Sequence, residues 1–142
     1  MKFLIINGPN LNLMHFTEPG VAGQIDYNAL LDYLEVCCQQ MDIQVEFFQS
    51  NHEGDLIDEI QSAAGRADGI VINPAAYTHY SYAIYDALRA VDVPAVEVHL
   101  SNIRQRESFR QISVTAPACR GQIVGHGFDG YLEALVLLAE GL

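Results

Sequence analysis

The chain has 142 residues, half of them hydrophobic and 18% charged, the profile of one globular domain that buries enough apolar surface to fold without disulfides or a structural metal. Seven basic residues stand against 18 acidic ones, a formal charge of -11. That imbalance excludes the basic patch a nucleic acid or an anionic membrane requires, so neither is expected as a partner.

Phe3 to Ile6 reads as a short buried strand ended by Asn7-Gly8-Pro9. Its apolar run is too short for a signal peptide or a membrane span, and a cytoplasmic location is expected. Leu30, Leu31, Leu34 and Cys38 recur at helical spacing between Tyr27 and Met41, with Asp26 placed to cap the helix. Ile43 to Phe48 is a second strand. Asp55 to Ala64 carries Leu56, Ile57, Ile60 and Ala64 on one helical face. Gly69 to Ile72 is a third strand, stopped by Asn73-Pro74. A helix over Tyr82 to Val91, a strand over Ala95 to Val98 running into His99, a strand over Gln122 to Val124 and a closing helix over Phe128 to Ala139 complete the pattern. Continuous apolar strands alternating with amphipathic helices predict an α/β domain over residues 1–142, with a doubly wound, flavodoxin-like parallel sheet of five strands.

In such folds ligands bind beyond the carboxyl ends of the strands. The residues expected there are Asn7, Asn10 and Asn12 after the first strand, Asn51 and His52 after the second, Asn73, Thr78 and His79 after the third, and His99, Ser101 and Asn102 after the fourth. This inventory is rich in amides and imidazoles. It holds no G-x-S-x-G elbow and no strand-end cysteine, so covalent acyl transfer is not expected. No H-E-x-x-H or paired-His spacing points to a catalytic metal. Cys37, Cys38 and Cys119 lack ligand spacing and read as small apolar side chains in a reducing compartment. Gly125-His126-Gly127-Phe128-Asp129-Gly130 matches G-x-G-x-x-G, but too little chain follows for a second strand, and its glycines read as a tight turn with close helix packing. Arg66 and Arg89 read as surface ion-pair residues.

The densest stretch is His99 to Arg110. Glu97 lies two residues before His99 on the same strand face, and a carboxylate beside an imidazole fixes its tautomer and raises its basicity, as a general acid or base needs. Backbone amides at 100 to 102 are placed to hold a carboxylate. Arg104, Arg106 and Arg110 supply forked donors for hydroxyls or anions, or for solvated and intersubunit pairs.

Four stretches are distinctive together: Ile6-Asn7-Gly8-Pro9-Asn10-Leu11-Asn12-Leu13, Gln49-Ser50-Asn51-His52-Glu53-Gly54, Asn73-Pro74-Ala75-Ala76-Tyr77-Thr78-His79 and Glu97-Val98-His99-Leu100-Ser101-Asn102. With Arg106-Glu107, Phe109-Arg110 and Gly121-Gln122-Ile123-Val124-Gly125, they make the chain resemble a type II 3-dehydroquinate dehydratase over nearly its whole length. The resemblance implies anti elimination of water from 3-dehydroquinate through an enolate, with no metal and no cofactor. It implies that His99 protonates the leaving hydroxyl, that Glu97 orients His99, and that Asn12 stabilises the enolate through a bound water. Asn73 and the amides of Leu100 and Ser101 would hold the substrate carboxylate, and His79 and Arg110 the ring hydroxyls. Asp86 would reach a neighbouring subunit's site in an assembly of trimers joined into dodecamers.

The chain departs from that family in the lid after the first strand. Here the lid reads Thr17-Glu18-Pro19-Gly20-Val21-Ala22-Gly23, with Thr17 at the family's arginine position and Ala22 at the position of its tyrosine base. Neither side chain can abstract a proton alpha to a carbonyl. Tyr80, Tyr82, Tyr77, His15 and Tyr27 are candidates for a substitute base, and the plainer reading of the tyrosines is packing. Tyr85 stands where many relatives carry Arg. Three readings follow: a dehydratase, a divergent paralogue that binds a quinate-like carboxylate without turnover, and a flavin or nucleotide binder. The last is weakest, because no strand-end loop is a phosphate cradle.

Overall fold

A computed structural model describes residues 1–14 and 26–141 of the chain. Five parallel strands form one sheet in the order β2-β1-β3-β4-β5. They are β1 (Lys2–Asn7), β2 (Gln44–Gln49), β3 (Gly69–Asn73), β4 (Ala95–His99) and β5 (Gly121–Val124). Helices α1 (Tyr27–Gln40), α2 (Glu53–Ser62), α3 (Tyr82–Ala90) and α4 (Gly127–Ala139) connect and cover them. This is the doubly wound α/β arrangement that the strand–helix alternation predicts.

Why the sheet is covered on both sides follows from its side chains. The central strands β1, β3 and β4 are buried nearly throughout, whereas the edge strands β2 and β5 are half-exposed. Phe3, Ile5, Val71, Val96 and Val98 point to one face and pack with Leu30 and Leu34 of α1 and with Tyr131, Leu135 and Leu138 of α4. Leu4, Ile6, Ile70, Ile72 and Ala95 point to the other, against Leu56 and Ile60 of α2 and Ile84 and Leu88 of α3. A strand alternating between two apolar faces has no polar side to turn to water, which is why these segments read as unbroken hydrophobic runs.

The ends of the elements are set by local chemistry. Asp26 caps α1 as expected, accepting a 2.9 Å bond from the Ala29 amide. Ser81 does the same for α3 through Ile84. Helix α2 begins at Glu53, two residues ahead of the sequence reading, and this puts both Glu53 and Asp55 in its first turn, where the helix dipole favours acids. Strands β1 and β3 each run one residue past their apolar stretch, because Asn7 and Asn73 are themselves paired across the sheet.

The fingerprint-like glycines are structural. Gly125, in the turn before α4, and Gly127, its first residue, both adopt positive φ. A Cβ on buried Gly130 would lie 3.3 Å from Ile123 and 3.4 Å from Val98, so the glycine lets α4 settle closely onto β4 and β5.

Candidate active site

Beyond the carboxyl ends of β1, β3 and β4 lies a hollow of about 330 Å³. It opens beside the point where the chain, having placed β2 on one side of β1, places β3 on the other. Pro9 and Asn10 line it after β1. Asn73, Ala75, Ala76 and His79 line it after β3, and His99, Leu100, Ser101, Ile103, Arg106 and Arg110 after β4. A broader hollow at the opposite edge, lined by Lys2, Glu35, Asp42 and Asp68, holds no imidazole and no arginine.

The floor is built on buried amides. The Tyr131 hydroxyl of α4 donates to Asn7 Oδ1 at 2.6 Å and accepts from Asn73 Nδ2 at 2.9 Å, tying the ends of β1 and β3 to a core helix. Asn73 Oδ1 accepts from the Ala75 amide at 3.1 Å. That bond helps hold Ala75 at a φ of 53°, a left-handed conformation alanine rarely adopts and one found most often where a site demands it. Asn10 is also left-handed, with its amide bonded to Asn51 Oδ1 at 3.0 Å.

The chemical centre is Glu97 with His99. Val96 and Val98 face α1 and α4, so the alternation of β4 turns Glu97 and His99 together to the opposite face. Glu97 is wholly buried, and its Oε2 accepts from His99 Nε2 at 3.0 Å. Ser113 Oγ at 2.8 Å and Gln122 Nε2 at 2.9 Å reach the same oxygen. Thr78 at 3.0 Å and Thr115 reach Oε1. Burial alone would push this carboxyl up, but His99 and then the Thr115 and Gln122 hydrogen bonds outweigh it and hold the pKa down to about 2. Glu97 is therefore a carboxylate at neutral pH, and an acceptor only. It follows that His99 Nε2 carries a proton and Nδ1 is the nitrogen left for other chemistry.

His79 is fixed from the other direction. Its Nδ1–H donates to the Ile112 carbonyl at 2.8 Å. Burial lowers its pKa, with the nearby charges of His99 and Arg110 acting in the same sense against the Ile112 bond. A neutral ring with Nδ1 protonated has a bare lone pair on Nε2, which accepts a hydroxyl proton. Arg110 and Arg106 border the same hollow, both close to Glu107, at 3.0 Å and 3.7 Å.

The structure thus brings Asn73, His79, His99, Leu100, Ser101 and Arg110 around one cavity, with Glu97 directly behind His99. Asn12 stands aside on a short turn after β1, its Oδ1 3.5 Å from Gln49 Nε2. Asp86 is on the exposed side of α3 and does not border the hollow of its own chain. Thr17, Ala22 and the rest of the lid lie outside the described residues, as does His15. Of the proposed substitute bases, Tyr27 is half-buried and its pKa is raised by desolvation against the Asn7 bond, the wrong direction for a base. Tyr77 donates to the Asn51 carbonyl, and Tyr80 and Tyr82 are 60% and 71% exposed. Burial pushes the Cys38 and Cys119 thiols up to about 11 and about 12, as expected of packing residues rather than nucleophiles. Arg66 pairs with Glu46 and Glu59 at the surface.

Sequence reasoning passed over Ser113, Thr115 and Gln122. They belong to the irregular segment before β5 and to β5 itself, and nothing in their spacing marks them. A buried glutamate in the centre of an apolar strand was the available signal, because such a charge must find donors somewhere in the chain.

Comparison with known proteins agrees with this geometry. Residues 1–139 match the family model described as dehydroquinase class II. The chain is 53% identical to a 3-dehydroquinate dehydratase of Caldicellulosiruptor bescii over 140 residues, 98% of this chain and 97% of that protein. It superposes on the crystal structure of the type II dehydroquinase of Butyrivibrio crossotus with a TM-score of 0.94 and 52% identity, covering 98% and 97% of the two chains. The corresponding values for the Propionibacterium acnes type II dehydroquinase are 0.91 and 39%, over 98% and 96%. A fold and a sequence that agree along almost the full length place this chain in the class II dehydroquinase family.

Proposed function

We propose that the chain dehydrates 3-dehydroquinate to 3-dehydroshikimate by anti elimination of water. One observation carries the reading most directly: an imidazole at a buried strand end, backed by a fully buried carboxylate and facing a cavity with two arginines and a neutral histidine. A carboxylate in that place stabilises the imidazolium form, which gives its proton to the departing hydroxyl as water leaves. Asn73 with the backbone at Leu100 and Ser101 holds the substrate carboxylate. Arg110 donates to a ring hydroxyl, and His79 accepts from one. Asn12, at the edge, steadies the enolate through water. The assembly is a dodecamer built from trimers, in which Asp86 serves a neighbour's cavity, and the enzyme works in the cytoplasm.

Proton abstraction is the step in doubt, because no tyrosine is among the described residues that line the hollow. Ala22 stands where the family has its tyrosine, and this favours a second reading, a divergent paralogue that binds a quinate-like carboxylate without turning it over. The test is the ultraviolet absorbance of the conjugated product formed from 3-dehydroquinate, with a Thr17→Arg, Ala22→Tyr double variant run beside the natural chain. Turnover by the natural chain establishes the dehydratase and directs the search for its base to Tyr80 and Tyr82. Turnover by the double variant alone establishes the binder. Silence from both overturns the substrate assignment.

A further inference from the structure

The buried carboxylate receives more donors than the orientation of one imidazole requires, and one of them is itself clamped from outside. Gln122 lies opposite Glu97 in the β4–β5 pairing and donates from Nε2 to Glu97 Oε2 at 2.9 Å. Its Oε1 accepts from the Arg104 guanidinium at 3.0 Å. Arg104 stands in the short turn after β4, where its own amide is held by Asn102 Oδ1 at 3.1 Å. A carboxylate only accepts and a guanidinium only donates, so both neighbours demand the same orientation of the amide. Flipping Gln122 would set two acceptors face to face at one end and two donors at the other.

We propose that Gln122, locked by Arg104, is a positioning residue for His99. It occupies part of the oxygen that His99 uses and so sets the place and the strength of the Glu97–His99 contact. A side chain there only to fill space would be equally well replaced by an apolar residue of the same length. A fixed donor would not. Without it, Oε2 keeps only Ser113 and His99, and its charge falls more fully on the imidazole. Among the described residues, the other charged or titratable groups facing this cluster are His79, Arg106 and Arg110 across the cavity and Cys119 from the segment before β5. The catalytic sense of the role rests on the dehydratase reading. The contact itself does not.

The experiment follows the His99 ring nitrogens by NMR across pH in the full-length protein, with the His99 and His79 signals assigned by their loss in His99→Asn and His79→Gln variants. In Gln122→Met the His99 midpoint rises by about half a unit, roughly threefold in proton affinity. Arg104→Met leaves the amide in place but free to turn, and gives a smaller rise in the same direction. If Gln122→Met does not fold, the exposed Arg104 variant carries the test. Where the natural chain turns over 3-dehydroquinate, kcat falls in both variants while KM holds, because no group bordering the cavity has changed. A His99 midpoint that stays put in both variants overturns the proposal, whatever happens to their melting temperatures. A shifted midpoint in a protein silent toward 3-dehydroquinate supports the positioning role and counts only against the substrate.

Discussion

Glu97 has no exposed surface, and the donors around it are hydroxyls, an amide and an imidazole, with no permanent cation among them. Such a charge is kept because the folded chain supplies the partners that water would otherwise give it. The consequence for stability has a definite sign. Against an ordinary value of 4.5, the folded carboxyl sits at about 2, so the unfolded chain takes up this proton first as pH falls. The stabilisation, on the order of 3 kcal/mol, is complete above about pH 4.5 and is lost as pH drops toward 2. His79 adds an earlier stage in the same direction. Its folded pKa lies below 6.5, so stability already declines as pH falls below that value. Urea midpoints measured from pH 8 to pH 3 are expected to fall in two stages. In Glu97→Gln the lower stage shrinks, and the midpoint at pH 7 drops by the equivalent of about 2–4 kcal/mol, since an amide NH2 now faces donors. An unchanged acid limb in that variant would contradict this account of the carboxylate.

At the scale of elements, the ends of β1 and β3 are held in closer approach than any side chain allows. The Gly8 amide donates to the Asn73 carbonyl at 2.8 Å, and a Cβ on Gly8 would sit 2.5 Å from the Pro74 carbonyl oxygen, with no flexible atom to yield. Gly8→Ala is expected to lower stability by about 2–4 kcal/mol and to weaken ligand binding as well, because Asn10 and Asn73 both border the cavity. Thermal melts and a ligand titration check the two effects separately. The strands, helices and their order were legible because hydrophobic periodicity is a local property of the chain. So was the pairing of Glu97 with His99, since residues two apart on a strand share a face. The ring of donors was not legible. Thr78, Ser113, Thr115 and Gln122 come from a turn, an irregular segment and an edge strand, and only the folded sheet brings them to one carboxylate. The Asn7–Tyr131–Asn73 floor is hidden for the same reason, joining residues 124 positions apart. The strand-end asparagines were visible as candidates; their local bonds were not, Asn12 lying against Gln49, Asn51 accepting from the Asn10 amide and Asn73 bordering the cavity.

For the molecule as a whole, a single copy leaves unusual apolar surface beside its site. Tyr80, Tyr82, Phe109 and Ile112 are each 60% exposed or more; the short turns over residues 75–79 and 108–110 pack together, and the Ile112 carbonyl holds His79. Surface of this kind is generally covered in an assembly. Sedimentation velocity is expected to show trimers or their multiples, and an Ile112→Asp, Phe109→Ser variant a shift to smaller species; a natural chain that sediments as a monomer would remove the proposed assembly. The parallel sheet has one more effect. Every strand points its carboxyl end at the cavity, and every helix returns the chain to the other edge, where Met1 lies beside Gln44 and Leu138 of α4 beside the start of β3. Both described ends of the chain therefore emerge on the side away from the cavity mouth. Tethering the protein to a sensor surface through either end leaves the cavity open to solution, and binding of small carboxylates becomes measurable even for a form of the protein that turns nothing over.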